Sequence, residues 1–315
     1  MDKQNLEKNF ISAVIYLNTA ENDRKLSDFI ARLARILSDD FLKYEIICVD
    51  DGSPQEYLDA VKRAISESTS SLPVTILHMS FYQGMELAMN AGRDLAIGDY
   101  VLEFDECVWN FPDDMIMQAY REVLKECDIV CCADRTKEGV TSKAFYELYN
   151  RFSGTQHLLE SDNFRILSRR GINRVCSLNR SIPYRKAVYA NCGLRFKVMH
   201  FEPVFRTNYG KDKKTRRFRK NLALDALLLY TDIGTRFSML MAGLMALIAA
   251  VLAVYSLVVY LNGIAVVGWT TTMLFLSFGF FGFFALMAVV IKYLSLILNI
   301  VFRKEKYLFQ SIEKL

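Results

Sequence analysis

Val101-Leu102-Glu103-Phe104-Asp105-Glu106-Cys107-Val108-Trp109-Asn110-Phe111-Pro112-Asp113 decides how this chain is read. An apolar run closes on acids, and Pro112 then suits the first turn of a helix, where its missing N–H costs nothing. The Gly98-Asp99 turn comes just before, so Tyr100 to Phe104 reads as a strand and Pro112 to Lys125 as a helix. Carboxylates at the C-terminal tip of a strand in an α/β sheet lie where such sheets bind ligands. The period-two alternation of a strand puts Glu103 and Asp105 on one face. An acid at 103 inside an apolar strand requires a partner, because an unpaired buried carboxylate is expensive.

Working outward, strands and helices alternate. Ile11–Leu17, Tyr44–Val49, Val74–Met79, Ile129–Ala133 and Arg195–Phe205 read as further strands. Asp23–Leu37, Pro54–Ile65, a segment ending at Ala96, and Thr141–Phe152 carry helical spacing. This rhythm predicts a mostly parallel, Rossmann-like sheet with right-handed crossovers. The second strand ends in Asp50-Asp51-Gly52-Ser53. On its own, such a turn is as readily plain turn chemistry as a ligand site.

The remaining bulk features concern the membrane. Of 315 residues, 52% are hydrophobic and 23% charged, with the apolar residues concentrated near the C-terminus. No charged residue occurs from Phe237 to Leu261 or from Asn262 to Ile291. Each run can cross a hydrocarbon core of about 30 Å at about 1.5 Å per residue. Two transmembrane helices are therefore predicted, about 237–261 and 266–291, joined at Asn262-Gly263. Arg236 precedes them, and Arg303, Lys304 and Lys306 follow, so the N-terminal domain and the C-terminus are expected on the cytoplasmic side. Lys292 can snorkel to that interface. Met1–Phe10 is polar and charged and does not read as a secretory signal. The 7 cysteines lack metal-type spacing and are expected as reduced thiols; 3 histidines leave little for a histidine metal site. A net charge of +4 is modest, and because the basic run 211–220 abuts a predicted span, nucleic acid is not the expected partner.

The motifs taken together resemble those of the family 2 glycosyltransferases, and among these the membrane-anchored branch that transfers sugars to polyprenyl phosphates, dolichol-phosphate mannosyltransferase-like enzymes included. Tyr44–Val49 followed by Asp50-Asp51-Gly52-Ser53 is similar to the family's nucleotide-binding turn. Asn18 stands where the family has a Pro-x-Tyr-Asn-Glu stretch, and Gln83-Gly84-Met85-Glu86 where it has Asn-Phe-Gly-Lys-Glu. Asp105-Glu106-Cys107 occupies the position of two aspartates flanking one residue, the family's Mg²⁺ or Mn²⁺ ligands. The second aspartate is replaced by Cys107, a soft ligand poorly suited to a hard cation. Asn163-Phe164-Arg165 matches a Gly-Asp-Phe-Arg stretch, with the family's acid falling on Asn163 and Asp162 one residue away. Arg206 and Gly210 keep part of an Arg-x-x-Gly-x-Ser-x-Tyr segment, in which Ser and Tyr become Asp212 and Lys214.

The resemblance implies an α/β GT-A-type domain over 1–210, basic juxtamembrane amphipathic helices over 211–235, two transmembrane helices within 236–302 and a cytoplasmic tail, 303–315. It implies transfer of a sugar, with inversion, from a UDP- or GDP-type nucleotide-sugar donor to a polyprenyl phosphate such as undecaprenyl phosphate. Asp105, Asp162 and Arg165 are the expected catalytic residues. Asn18, Asp50, Asp51, Gly84, Arg206 and Lys211 are expected to bind the donor, with Asp105 and Glu106 on Mg²⁺ or Mn²⁺. A phosphate acceptor is largely ionised at neutral pH and tolerates the missing base at 163. The helix at 141–152 and the basic run fit contact with membrane lipids as well as simple packing or solvation. The alternative is a catalytically inactive, membrane-anchored relative acting as a binding or scaffold protein, for which Met85, Cys107, Asn163 and Lys214 all count. A homo-oligomer is left open. Processive polysaccharide synthases are disfavoured, since neither Trp109 nor Trp269 follows their Gln-x-x-Arg pattern.

Overall fold

The computed structural model describes residues 6–17, 23–68, 73–135, 140–152, 158–178, 184–204, 268–302 and 307–315, with scattered residues between 236 and 254. The chain divides into two compact units. One comprises Met1–Asn150, Thr155–Leu222 and Lys304–Leu315, the other Arg151–Gly154 and Ala223–Arg303.

The first unit is built on one sheet. Its elements run β1 (Glu7–Leu17), α1 (Asp23–Asp40), β2 (Phe41–Asp50), α2 (Gln55–Ser68), β3 (Val74–Met79), α3 (Met85–Leu95), β4 (Tyr100–Phe104), α4 (Met115–Lys125) and β5 (Ile129–Asp134). There follow α5 (Val140–Phe152), β6 (Phe164–Ser168), α6 (Arg169–Leu178), α7 (Arg185–Asn191), β7 (Phe196–Phe201) and, after the second unit, β8 (Phe309–Lys314). The strand order is β7-β5-β6-β4-β1-β2-β3-β8. Strands β3, β2, β1 and β4 are mutually parallel, and β5 pairs with β7 in parallel. The antiparallel strands are β6, inserted between β4 and β5, and β8, on the far side of β3.

The chain moves from β1 outward through β2 to β3, then returns to place β4 on the other side of β1. That reversal is a topological switch point, and α/β sheets open a crevice there, beyond the strands' carboxyl ends. Leu17 pairs with Asp50 and Ile15 with Phe104, so the acids that follow these strands stand at one end of the sheet, with β1 between them.

The two faces differ in chemistry. Ile11, Ala13, Ile15 and Leu17 of β1, with Ile46, Cys48, Leu102 and Phe104, pack into the apolar core with Leu33 of α1, Val61 of α2 and Ile116 of α4. Alternation turns Val14, Val49, Glu103 and Asp105 to the opposite face, under α3. Gly92 lets α3 lie close there: a Cβ would sit 2.5 Å from both Val14 Cγ1 and Val49 Cγ2.

Two features were not expected from the sequence. The stretch 303–315, anticipated only as a tail, contributes strand β8, in which Ile312 pairs with Leu77 and Ser311 with His78. The segment around Arg165, read only as a motif, is a full strand of the sheet.

The second unit contains α8 (Trp269–Phe302), a continuous helix of 34 residues. The first predicted span and the Asn262-Gly263 turn fall largely outside the described residues, so the hairpin is not seen as such. Counting only residues whose side chains are described, no helix is long and apolar enough to cross a membrane. Large apolar side chains along α8, including Phe280, Phe281, Phe284, Ile291 and Ile297, are exposed.

Candidate active site

The carboxyl ends of β1, β2 and β4 gather two sets of acids. In the first, Asp50 Oδ1 accepts from the Ser53 amide (2.9 Å), and its Oδ2 meets His78 Nδ1 at 3.0 Å. Asp51 accepts from the Gln83 amide at Oδ1 (2.7 Å), and from the Gly84 amide (2.8 Å) and the Tyr16 hydroxyl (3.2 Å) at Oδ2. Gly52, with φ of 76°, lets the turn close against the β3–α3 loop. The Asp50-Asp51-Gly52-Ser53 turn and the Gln83-Gly84 loop are thus one unit, tied through Asp51. Burial raises the Asp51 carboxyl above its ordinary range, although the Gln83 and Gly84 amides and Tyr16 act against this. A carboxylate offers about four acceptor positions, so two contacts on Asp50 and three on Asp51 leave each able to accept again.

The second set lies at the tip of β4. Glu103 is directly opposite Arg165 in the β4–β6 register, which is why the antiparallel strand matters: it carries a guanidinium to the wholly buried Glu103. Arg165 is wholly buried and meets three carboxylates: Glu103 at 3.2 Å, Asp105 at 2.5 Å and Asp162 at 2.8 Å. Arg185, from the start of α7, also meets three: Glu86 at 2.8 Å, Glu103 at 2.7 Å and Asp105 at 2.6 Å. Lys186 pairs with Asp162. The Tyr189 hydroxyl donates to Glu103 (2.8 Å) and accepts from Arg93 (3.0 Å). Burial alone would raise the Asp105 carboxyl; the Arg165 and Arg185 guanidiniums overcome it and hold the group well below the carboxylate range. Asp162 follows the same pattern, with burial opposed by Arg165 and then Lys186.

The sequence-predicted residues therefore fare differently. Asp50, Asp51 and Gly84, expected to bind the donor, are brought together. Asn18, Arg206 and Lys211 lie outside the described residues. Arg165, expected as a catalytic residue, is sealed among carboxylates, because Glu103 on the neighbouring strand requires a counter-ion. Asp162, expected as a catalytic acid or base, is held ionised by Arg165 and Lys186. For Asp105 and Glu106, expected on Mg²⁺ or Mn²⁺, no three His, Cys, Asp or Glu side chains are grouped to hold an ion among the described residues. Both Asp105 oxygens are taken by guanidiniums, and Cys107, in the second aspartate's place, is buried with its thiol directed at the Tyr16 carbonyl (3.7 Å). This donor set does not fit a hard divalent cation.

Sequence reasoning missed Arg185, Lys186, Tyr189 and the role of Glu86. The available signal was charge balance. Glu103 and Asp105 share a face, and the single charge of Arg165 could not neutralise both together with Asp162. A second cation was required, and Arg185-Lys186 is a basic pair outside the juxtamembrane run.

Comparison with known proteins agrees with this architecture. The family described as Glycosyl transferase family 2 matches residues 21–192. An uncharacterised glycosyltransferase of Synechocystis sp. is 26% identical over 277 residues, covering 85% of this chain and 84% of its own. Among solved structures, a mannosyltransferase of Pyrobaculum calidifontis in complex with GDP-Man and Mn²⁺ is 14% identical, covers 95% of this chain and 89% of its own, and superposes with a TM-score of 0.50. A mycobacterial protein, also 14% identical, covers 71% of this chain and 76% of its own, with a TM-score of 0.51.

Proposed function

The chain belongs to glycosyl transferase family 2, and from that premise we propose that it moves a sugar from a UDP- or GDP-type donor to a polyprenyl phosphate, with inversion, at the cytoplasmic face of a membrane. The donor lies over the carboxyl ends of β1, β2 and β4. Asp50 and Asp51 accept from base and ribose donors with their remaining lone pairs, and the Gly84 loop closes beside them. Arg206 and Lys211 meet phosphate oxygens. Support for the acceptor comes from one observation: Asp105 and Asp162 are both ion-paired to buried cations and driven below the usual carboxylate range. Such groups are poor bases. A sugar hydroxyl would need deprotonation, whereas a phosphate monoester arrives ionised and needs only positioning and charge neutralisation.

The membrane reading is part of the proposal. Residues 237–261 and 266–291 form the anchor, 211–235 lie at the interface, and the catalytic unit and C-terminus face the cytoplasm. The exposed apolar side chains along α8 support this, since a helix apolar all round is found buried or in lipid.

The test is transfer by purified full-length protein in detergent. UDP- and GDP-sugars carrying radiolabel are offered with undecaprenyl phosphate, or with a sugar hydroxyl as the competing acceptor. The expected product is a solvent-extractable lipid-linked sugar. Label passing only to the hydroxyl acceptor rejects the lipid phosphate; no nucleotide release with any donor rejects the whole reading.

A further inference from the structure

Family 2 enzymes of this architecture are expected to hold a divalent cation at the tip of the fourth strand, and this chain's donor set there does not fit one. The disagreement has a specific physical content. Glu86, Glu103, Asp105 and Asp162 face Arg165, Arg185 and Lys186 within one network, and Arg93, itself paired with Asp94 at 3.6 Å, joins it through the Tyr189 hydroxyl. An acid-tipped strand with no counter-ion would repel a diphosphate, and neutralising that charge is one task of a metal at such a position. Here guanidiniums perform it already. A metal reaching Asp105 would compete for oxygens that already accept from Arg165 Nη2 at 2.5 Å and Arg185 Nη2 at 2.6 Å. Neither side chain has room to withdraw, since both are fully buried. The incoming ion would add positive charge directly beside two guanidiniums.

We infer that this protein binds its nucleotide donor without a divalent cation, and that Asp105 is a positioning residue anchoring a clamp of two arginines in place of a metal ligand. The inference rests on the proposed reading of the chain as a nucleotide-sugar transferase. Replacement of the second aspartate by Cys107 then ceases to be a defect. A thiol donating to the Tyr16 carbonyl is compatible with a strand tip that never meets a hard cation.

Equilibrium dialysis of radiolabelled UDP and GDP against the full-length protein in detergent, in EDTA and in MnCl₂, separates the outcomes. The expected result is an affinity for one nucleotide that changes less than about twofold between the two conditions. Electron paramagnetic resonance of Mn²⁺ titrated with protein alone should show the free-ion signal undiminished. An affinity gain of tenfold or more in MnCl₂, or sequestration of one Mn²⁺ per chain, overturns the inference and leaves the proposed function standing. If neither nucleotide binds under either condition, the proposed function fails and this inference with it. The Cys107→Asp variant tests the clamp directly. It restores the missing carboxylate, and with Asp105 still occupied it should gain no Mn²⁺ site. Tight Mn²⁺ binding by that variant would show that sulfur alone kept the metal away, which the clamp does not allow.

Discussion

Asp105→Asn separates a clamp residue from a metal ligand. A ligand at a solvent-facing metal site contributes little to folding in the absence of metal, so its amide variant would melt close to the parent. A clamp residue behaves otherwise. The substitution removes a charge that meets Arg165 at 2.5 Å and Arg185 at 2.6 Å. Breaking a buried ion pair from one side costs about 3–5 kcal/mol, because the remaining partner stays buried. Arg165 keeps Glu103 and Asp162, and Arg185 keeps Glu86 and Glu103, so the low end, about 3 kcal/mol, applies. In a unit of this size, that corresponds to a drop of about 6–12 °C in melting temperature. The pH dependence follows from the direction of the shift. The folded Asp105 carboxyl is depressed, so its contribution is complete above the unfolded value of about 3.9 and is lost as pH falls towards the lower folded value. The gap between parent and variant should therefore be constant from pH 8 to about 5 and begin to close only near the unfolded value of about 3.9. Near-UV circular dichroism melts of the full-length protein in detergent, with EDTA throughout, measure this. A difference under about 2 °C at pH 7, well below the range expected for a unit of this size, would refute the clamp.

Two further outcomes concern the turn that Asp51 ties together. Gly52→Ala places a Cβ 3.0 Å from the Tyr82 amide nitrogen on a backbone with φ of +76°, and should cost about 1–2 kcal/mol from the left-handed conformation alone; chemical denaturation of the full chain checks it. Gln83→Ala removes side-chain bonds to the Leu308 carbonyl (2.5 Å) and amide (3.0 Å), at about 0.5–1.5 kcal/mol each. Faster amide exchange at Leu308 and Ser80, with α4 unchanged, is the expected signature, because Ser80 also donates to the Leu308 carbonyl.

Much of the parallel core was legible because its strands are apolar runs closed by turn residues. Val74–Met79 and Tyr100–Phe104 begin and end where the sequence places them. Strands β1 and β2 start earlier than expected, at Glu7 and Phe41, because polar residues such as Glu7 and Lys43 continue pairing at the open end of the sheet. Strand β8 was hidden for a related reason. Phe309-Gln310-Ser311-Ile312-Glu313-Lys314 has little apolar periodicity, since it covers an edge and most of it stays exposed. What holds it is polar: Glu313 bridges Lys62 at 2.6 Å and His78 at 3.3 Å. At the site, the Asp50-Asp51-Gly52-Ser53 stretch was legible as a turn from local chemistry, but the place of Arg185 was not. Its three carboxylate partners lie 80 to 99 residues away in sequence, and no local pattern records that meeting.

The buried ion network follows from the sheet itself. Once β4 enters beside β1, its pleat sends Leu102 and Phe104 into the apolar core and leaves Glu103 and Asp105 to share the other face. A parallel neighbour would have been reached through a crossover, with a further apolar run beside the acids. Strand β6 returns antiparallel instead, and its register sets Arg165 opposite Glu103 while Asp162, three residues earlier, stays within reach of the same guanidinium. Replacing such a network by apolar side chains is often neutral or stabilising, so its persistence at a switch point calls for a reason other than stability. Orientation supplies one. The fork of Arg185 ties the first turn of α3 through Glu86 to the tip of β4 through Asp105. Helix α3 begins next to Gly84, whose amide is bound by Asp51. The two acid sets are therefore mechanically joined through α3: a change that loosens the clamp should also loosen the nucleotide turn, although no side chain of one set touches the other among the described contacts.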